Sequence, residues 1–359
     1  MRGRTNAVAS AAAEPKYWTT TILIDQTITD PATMVTKVYD DGGIAMIRAN
    51  SHRYVCQMVD GVLNARQLQD NNGTLYLDGT PADLTGGEGD VFMKLPNFYY
   101  RMQEDSVDRY YITFVYGEPP TDQVFKKWDD CEFIGVYEAY VADKKVYSIS
   151  GVRAAEGAAQ NSYNIFSSNR GEGYGTVTWK HHSIMAFLFF AWYLHTDSQA
   201  ICGSGASSYV AKNGDTNLLG MEDTVAGVNG DNQSTNFWGL ENWWGDRGEF
   251  IGNAAFKSAG VMTVTERDGS TRDITLTTST GWVSSLTIGG ELDAAPKKIG
   301  ASATTGCCDS LSSRSSNYKV VRGGYKSVSD SGITCLKGES GSASDAGSRL
   351  CYYGPYNII

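Results

Sequence analysis

The sequence predicts an α+β protein: a small β-rich N-terminal region, then a larger mixed domain of short strands, few helices and long loops. Three observations predict it. Early runs such as TTTILIDQTITD alternate and are rich in β-branched residues, the period of a half-buried strand. One later run, WKHHSIMAFLFFAWYLH, is apolar on nearly every side, the pattern of a helix buried all round. Between such runs, 40 glycines against 19% charged residues break the chain into turns rather than long helices.

In chain order, residues 1–17 are small and polar and read as a flexible lead. A first strand is expected to close at Asp30-Pro31. GGIAMIRA and TLYLDG look like further short strands. The glycine-rich LTGGEGD (Leu84–Asp90) suggests a boundary, dividing a β-rich attachment or oligomerisation region (18–88) from a ligand-binding domain (89–359). DVFMKLPNFYYRM and DRYYITFVYG alternate again, with Pro96 at an edge or bulge. CEFIGVYEAYVADKKVYSISG reads as a hairpin or meander, and Ser150–Gly175 as loop. Thr178 is placed to cap the long helix. GVMTVTERDGSTRDITLTT carries a hairpin signature around Asp268-Gly269. YKVVRGGYKS and GSRLCYYG read as two short closing strands.

Composition excludes several functions. The net charge of −10 and the absence of a basic stripe speak against a bare nucleic-acid binder, whose affinity rests on phosphate neutralisation. Seven cysteines without C-x-x-C spacing suggest assembly in a reducing cytoplasm and no disulfide framework. No apolar segment follows the N-terminal charges, so no signal peptide is expected, and IMAFLFFAWYL is about half of the ~20 residues a membrane span needs.

Catalytic patterns are sparse. RGEGYG lacks the GK[ST] of a phosphate loop. No G-x-S-x-G elbow is present. His181 and His182 are adjacent on the helix, so their side chains diverge and chelate poorly; no metal site is expected. Glu241, Asp246 and Glu249 admit a carboxylate-pair reading as a glycosidase or as calcium ligands, though EF-hand spacing is missing.

NFWGLENWWGDRGEF (Asn236–Phe250) is the densest aromatic stretch. Its tryptophans read either as an exposed stacking platform or as the lock of a loop-rich core, and the core reading is preferred. The expected structural core is Trp179, Trp192, Trp238, Trp243 and Trp244. Neighbours in an extended segment face opposite ways, so one of Trp243 and Trp244 is expected to be partly exposed.

The order of MKLPNFYYRM, FIGVYEAYV, NRGEGYG with its aromatic helix, SQAICGSG, FWGLENWWGD, VVRGGYKS and GSRLCYYG resembles the C-type-lectin-like domain shared by formylglycine-generating-enzyme relatives, variable proteins of diversity-generating retroelements and phage tail-fibre proteins. The resemblance covers residues 89–359. Tyr325 stands where that group usually has tryptophan, and Ser348 where phenylalanine is common. It implies a receptor-binding adhesin, a tail-fibre tip on a virion or a cell-surface protein, which grips a host-surface protein or glycan and assembles as a homotrimer. The alternative it leaves open is an oxidase of the same fold group. Those enzymes use close cysteines for copper or a histidine cluster for iron; here Cys335 and Cys351 lie sixteen positions apart, so no enzyme activity and no cofactor are expected.

The resemblance also implies a binding face built from C-terminal loops. Tyr318, Tyr325, Ser327, Ser329, Asp330, Ser331, Ser342, Ser344 and Asp345 are its expected contacts, with tyrosines giving broad area and serines adaptable hydrogen bonds. Adenine-directed variation of AAC codons never yields Lys, Glu, Gln, Met or Trp, and none of these occurs in 301–318 or 340–359. The resemblance thus implies retroelement diversification there, although a composition this small and polar also describes any ordinary loop.

Overall fold

The computed structural model describes residues 17–128, 133–205, 212–224, 234–289, 291–312, 314–324 and 331–359. The chain is 44% strand and 12% helix, so the fold is mostly β and the expected α+β class is corrected. Stretches that look like loop in the sequence supply the difference, because many are short strands that pair only with distant partners.

Three antiparallel-rich sheets carry the architecture. A five-stranded sheet runs Val35–Asp40, Tyr17–Asp25, Arg109–Gly117, Phe98–Ser106, Lys126–Trp128. An eight-stranded sheet places Tyr174–Thr176, Leu350–Tyr352, Phe133–Gly135, Asp90–Lys94, His52–Val59, Val62–Gln69 and Tyr356–Ile358 side by side, with Asn72–Tyr76 also paired to Val62–Gln69. A nine-stranded sheet contains the long strand Gly248–Ser258, which pairs with Val261–Thr265 and Lys319–Arg322. Strands from both sides of residue 88 share the first two sheets: Tyr17–Asp25 pairs with Arg109–Gly117, and His52–Val59 with Asp90–Lys94.

Several local expectations are met. The Val261–Thr265 and Thr271–Thr275 strands form the hairpin around Asp268-Gly269, with Gly269 at φ 84°. The long helix runs Trp179–Tyr193, and the Thr178 backbone N–H donates to His181 Nδ1 at 2.9 Å. Others are not. The first strand ends at Asp25 rather than at Asp30-Pro31, where the Asp25 carboxylate accepts the Thr27 N–H and hydroxyl and turns the chain. GGIAMIRA forms helix α1 (Gly43–Ala49). Ile44 and Ile47 lie one turn apart and both are buried, a helical spacing in a run too short to show its period. Gly43 is required there, since a Cβ would sit 2.5 Å from the Thr20 backbone nitrogen. Ser150–Gly175 is not all loop, because helix α2 (Gln160–Ser168) forms inside it. The long helix is α3.

Trp179, Trp238, Trp243 and Trp244 are fully buried. Trp192 is corrected: it is 38% exposed, near the end of α3, where its ring edge meets Trp238 at 5.8 Å. The expectation that Trp243 or Trp244 would be partly open is also corrected. The segment is not extended but bends after Asn242, which has φ 50°, and both rings turn inward. Trp243 stacks on His182 with centroids 4.3 Å apart, and Trp244 Nε1 donates to the Gly203 carbonyl at 2.8 Å. Trp238 and Gly239, at φ 54° and 74°, make the two-residue turn between Asn236–Phe237 and Leu240–Glu241, as a primed hairpin turn demands. Arg53 secures that turn, donating from Nε to the Gly239 carbonyl at 2.8 Å and from Nη2 to Asn236 Oδ1 at 2.9 Å.

At the centre, Arg349 is fully buried. It donates from Nε to Glu249 Oε1 at 2.6 Å and from its terminal nitrogens to the carbonyls of Gly135, Val136, Glu241 and Asn242. Burial alone would raise the Glu249 carboxyl, but Arg349 and His182 outweigh it and hold the group below the usual carboxylate range. Beside them, burial and then Asp246 hold Glu138 well above that range.

Arg349→Met leaves Glu249 buried with only His182 beside it. It is expected to cost about 3–5 kcal/mol in urea unfolding, and the double variant Arg349→Met/Glu249→Leu should recover much of that loss. A second test concerns Asp309, which burial pushes up to about 7. Its Oδ2 accepts the Thr334 N–H and hydroxyl, each at 2.7 Å. A raised folded pKa means the group favours folding most below pH 4 and loses that contribution as pH rises through 7. The stability of Asp309→Asn relative to the unsubstituted protein should therefore improve steadily from pH 5 to pH 8; a constant difference would refute it.

Candidate ligand-binding cleft

The Gly248–Ser258 strand pairs with Lys319–Arg322 at both ends, but the register breaks between Phe250 and Ala255. Where the strands part, carbonyls lose their ladder partners and must find others. Helix α2 supplies them. Gln160 Nε2 donates to the carbonyls of Ile251 and Ala254, and Asn164 Nδ2 to that of Gly252 at 2.8 Å. The Gly252 N–H donates to the Val177 carbonyl at 2.9 Å. A Cβ at Gly252 would lie 2.0 Å from Thr176 Oγ1, so only glycine admits this approach. Asn253 Oδ1 accepts the Trp179 N–H at 2.9 Å, fixing the start of α3.

Over this parting opens a cleft of about 550 Å³, within the range of small-ligand sites. One wall is α2 with Asn164 and Ser168; another is the hairpin from Thr263 to Arg267; Lys319 and Tyr353 complete the lining. Most of the polar lining is already satisfied within the protein. The Thr176 hydroxyl donates to Asn164 Oδ1 at 2.6 Å and Tyr353 Oη to the Thr176 carbonyl at 3.2 Å. Glu266, the cleft's carboxylate, is held by Arg272 Nε at 2.7 Å and Lys180 Nζ at 3.2 Å. The Arg267 guanidinium lies 4.6 Å over the Tyr353 ring. Neither Arg267 nor Lys319 has an acidic partner among the described residues.

The expected contact residues are dispersed. Tyr318 is half-buried against the core next to Lys319, and its carbonyl accepts the Phe256 N–H at 2.7 Å. Ser342 and Ser344 are exposed, on a turn that meets the start of α2 through an Ala159–Ser342 bridge. Asp345 is half-exposed, 3.9 Å from Lys337 Nζ. Ser331 is corrected: at 1% exposure it lies under Gly324, whose added Cβ would touch Ser331 Oγ at 2.5 Å, and it cannot meet a ligand. Tyr325, Ser327, Ser329 and Asp330 lie outside the described residues. Nor do the last forty residues form one open face. Lys319–Arg322, Leu336–Glu339 and Leu350–Tyr352 are sheet strands, and Ser348 and Arg349 are buried.

Sequence reasoning missed Asn164, Arg267, Lys319 and Tyr353. The available signals were the i, i+4 amides Gln160 and Asn164, which share one helix face, and Gly252 inside a strand-like run, which marks a bulge.

The residues behind the enzyme readings are interior. Cys351 Sγ lies 3.0 Å from Tyr353 Oη, and Cys335 Sγ lies 3.9 Å from Ser310 Oγ; both thiols are buried. Glu241, Asp246 and Glu249 are sealed in the core. The Glu241 carboxylate accepts the backbone N–H groups of Gly214 and Thr216 at 2.8 Å each. Among the described residues no three His, Cys, Asp or Glu side chains gather as a metal-binding group. No family model and no curated protein matches the chain.

Gln160→Leu removes the donor from two backbone carbonyls at the floor of the cleft. A loss of about 1–3 kcal/mol is expected in chemical unfolding, and an unchanged midpoint would show that the parted strands find other partners.

Proposed function

We propose that the chain is a non-enzymatic receptor-binding protein of the tail-fibre or adhesin type, displayed on a virion or cell surface. It grips a host-surface ligand in this cleft, flanked by the Ser342–Ser344 turn. One observation carries the reading: most of the cleft's amides and hydroxyls are fixed by bonds within the protein, while Arg267 and Lys319 have no acidic partner among the described residues. A site whose walls are already ordered loses little entropy on binding. The motif order that resembles tail-fibre variable proteins supports the same assignment. Homotrimerisation would multiply weak single-site contacts by raising effective concentration.

Retroelement variation, on this reading, acts at exposed positions of the two permitted windows, such as Ser302–Thr304, Ser315–Asn317, Ser342 and Ser344. The core around Arg349 has no tolerance for it.

The test is binding of fluorescently labelled protein to a panel of bacterial cells. Thr265 is exposed on the cleft wall, and Thr265→Trp fills the opening without touching the core. The unsubstituted protein should label at least one strain saturably, and Thr265→Trp should lower that labelling by about tenfold or more, equivalent to ~1.4 kcal/mol. Equal labelling by both proteins would refute the cleft as the gripping surface.

A further inference from the structure

Resting on that receptor-binding reading, we infer that the cleft selects a carboxylate-bearing saccharide, a short glycan ending in an acidic sugar. The argument begins with charge. The whole chain carries −10, yet the cleft presents Arg267 and Lys319 from two different walls, and its carboxylate is engaged by Lys180 and Arg272. The local balance is therefore positive inside an acidic molecule. That contrast persists only within a screening length of about 10 Å, so an anion is favoured once it has entered.

Geometry adds selectivity. The Arg267 guanidinium is stacked over Tyr353 at 4.6 Å. Stacking restricts the plane of the group while its N–H fork remains free for a flat two-oxygen acceptor. A carboxylate matches that fork in two parallel hydrogen bonds. Lys319, a point charge, reaches the same ligand from the neighbouring strand. Between them the lining is Gly175, Gly252, Ala254, Ala255, Thr265 and Ser168. These small and hydroxylic walls suit the edges of sugar rings. They offer no deep apolar socket for the aromatic or aliphatic anchor on which peptide recognition rests.

The experiment is saturation-transfer NMR and calorimetry on the full chain with three probes: sialyllactose, lactose and inorganic phosphate. Sialyllactose is expected to bind saturably, lactose at least about tenfold more weakly, and phosphate more weakly than sialyllactose. Raising the salt concentration should lower sialyllactose affinity. Arg267→Ala and Lys319→Ala should each bring the acidic probe to within a few-fold of lactose, with unfolding midpoints unchanged. Equal affinity for lactose and sialyllactose overturns the proposal, as does phosphate binding as tightly as the sugar, which would make this an anion site only. If no sugar binds while Thr265→Trp still abolishes cell labelling, the acidic-saccharide inference fails and the receptor reading stands. If Thr265→Trp leaves cell labelling intact, both fail.

Discussion

The ion pair between Arg349 and Glu249, sealed from water and bonded to four backbone carbonyls, is the constraint on which the rest of the structure depends. Two charges cannot enter a protein interior without large loss of hydration, so the geometry must return what burial removes. Here it does, because every nitrogen of the guanidinium donates. The carbonyls come from the end of Phe133–Gly135 and from the hairpin segment after Leu240, while Glu249 lies at the start of the Gly248–Ser258 strand of the nine-stranded sheet. One side chain near the C-terminus thus fixes three separate pieces of backbone. A lysine would place one compact charge there and could not satisfy acceptors spread over that fan.

Around this centre the aromatic stretch acts as a clamp. Trp243 packs against both His182 and Arg349, and Trp238 receives the Arg48 guanidinium at 4.7 Å while its Nε1 donates to Ser51 Oγ at 3.0 Å. α1, α3 and the tryptophan hairpin are thereby locked to one another. With these parts immobile, the Gly248–Ser258 strand is free to part from its neighbour at Gly252. The gap does not collapse, because α2 inserts amides that bond to the exposed carbonyls. The cleft is thus a consequence of register: a strand held firmly at both ends and bulged between.

This explains which features were legible in the sequence. The α3 helix and the Asp268-Gly269 hairpin were readable because their signals are local, an unbroken apolar run and a two-residue turn. The burial of Trp238 followed from the density of aromatics with polar partners beside them. α1 was misread because seven residues show too little of a period. Trp192 was misread because an apolar helix gives no sign of where its end meets solvent. The cleft was invisible for another reason: Gln160, Gly252, Arg267, Lys319 and Tyr353 are distant in sequence and meet only through pairings between far-separated strands. The high strand content was missed on the same ground, since a two- or three-residue strand such as Tyr174–Thr176 has no alternation to detect until Leu350–Tyr352 lies beside it.

The late chain consequently holds two kinds of position, buried and open, that sequence composition does not separate. Its small, polar residues look uniform, yet Ser331 and Ser348 are buried while Ser342 and Ser344 are open. Serine suits both settings, since it fills little space inside and solvates well outside. The distinction lies in the surroundings: Ser348 sits between the Ala346–Gly347 pairing and Leu350–Tyr352, inside the sheets, whereas the Ser342 and Ser344 side chains stand on the turn after Leu336–Glu339 and face solvent. A recognition surface on this scaffold must therefore alternate with anchors along the chain. Lys319 shows how closely the two interlock, because its backbone pairs in the nine-stranded sheet while its side chain lines the cleft. Fixed main chain with a charged side chain turned to the cleft is the arrangement by which one residue can belong to the core and to an open surface at once.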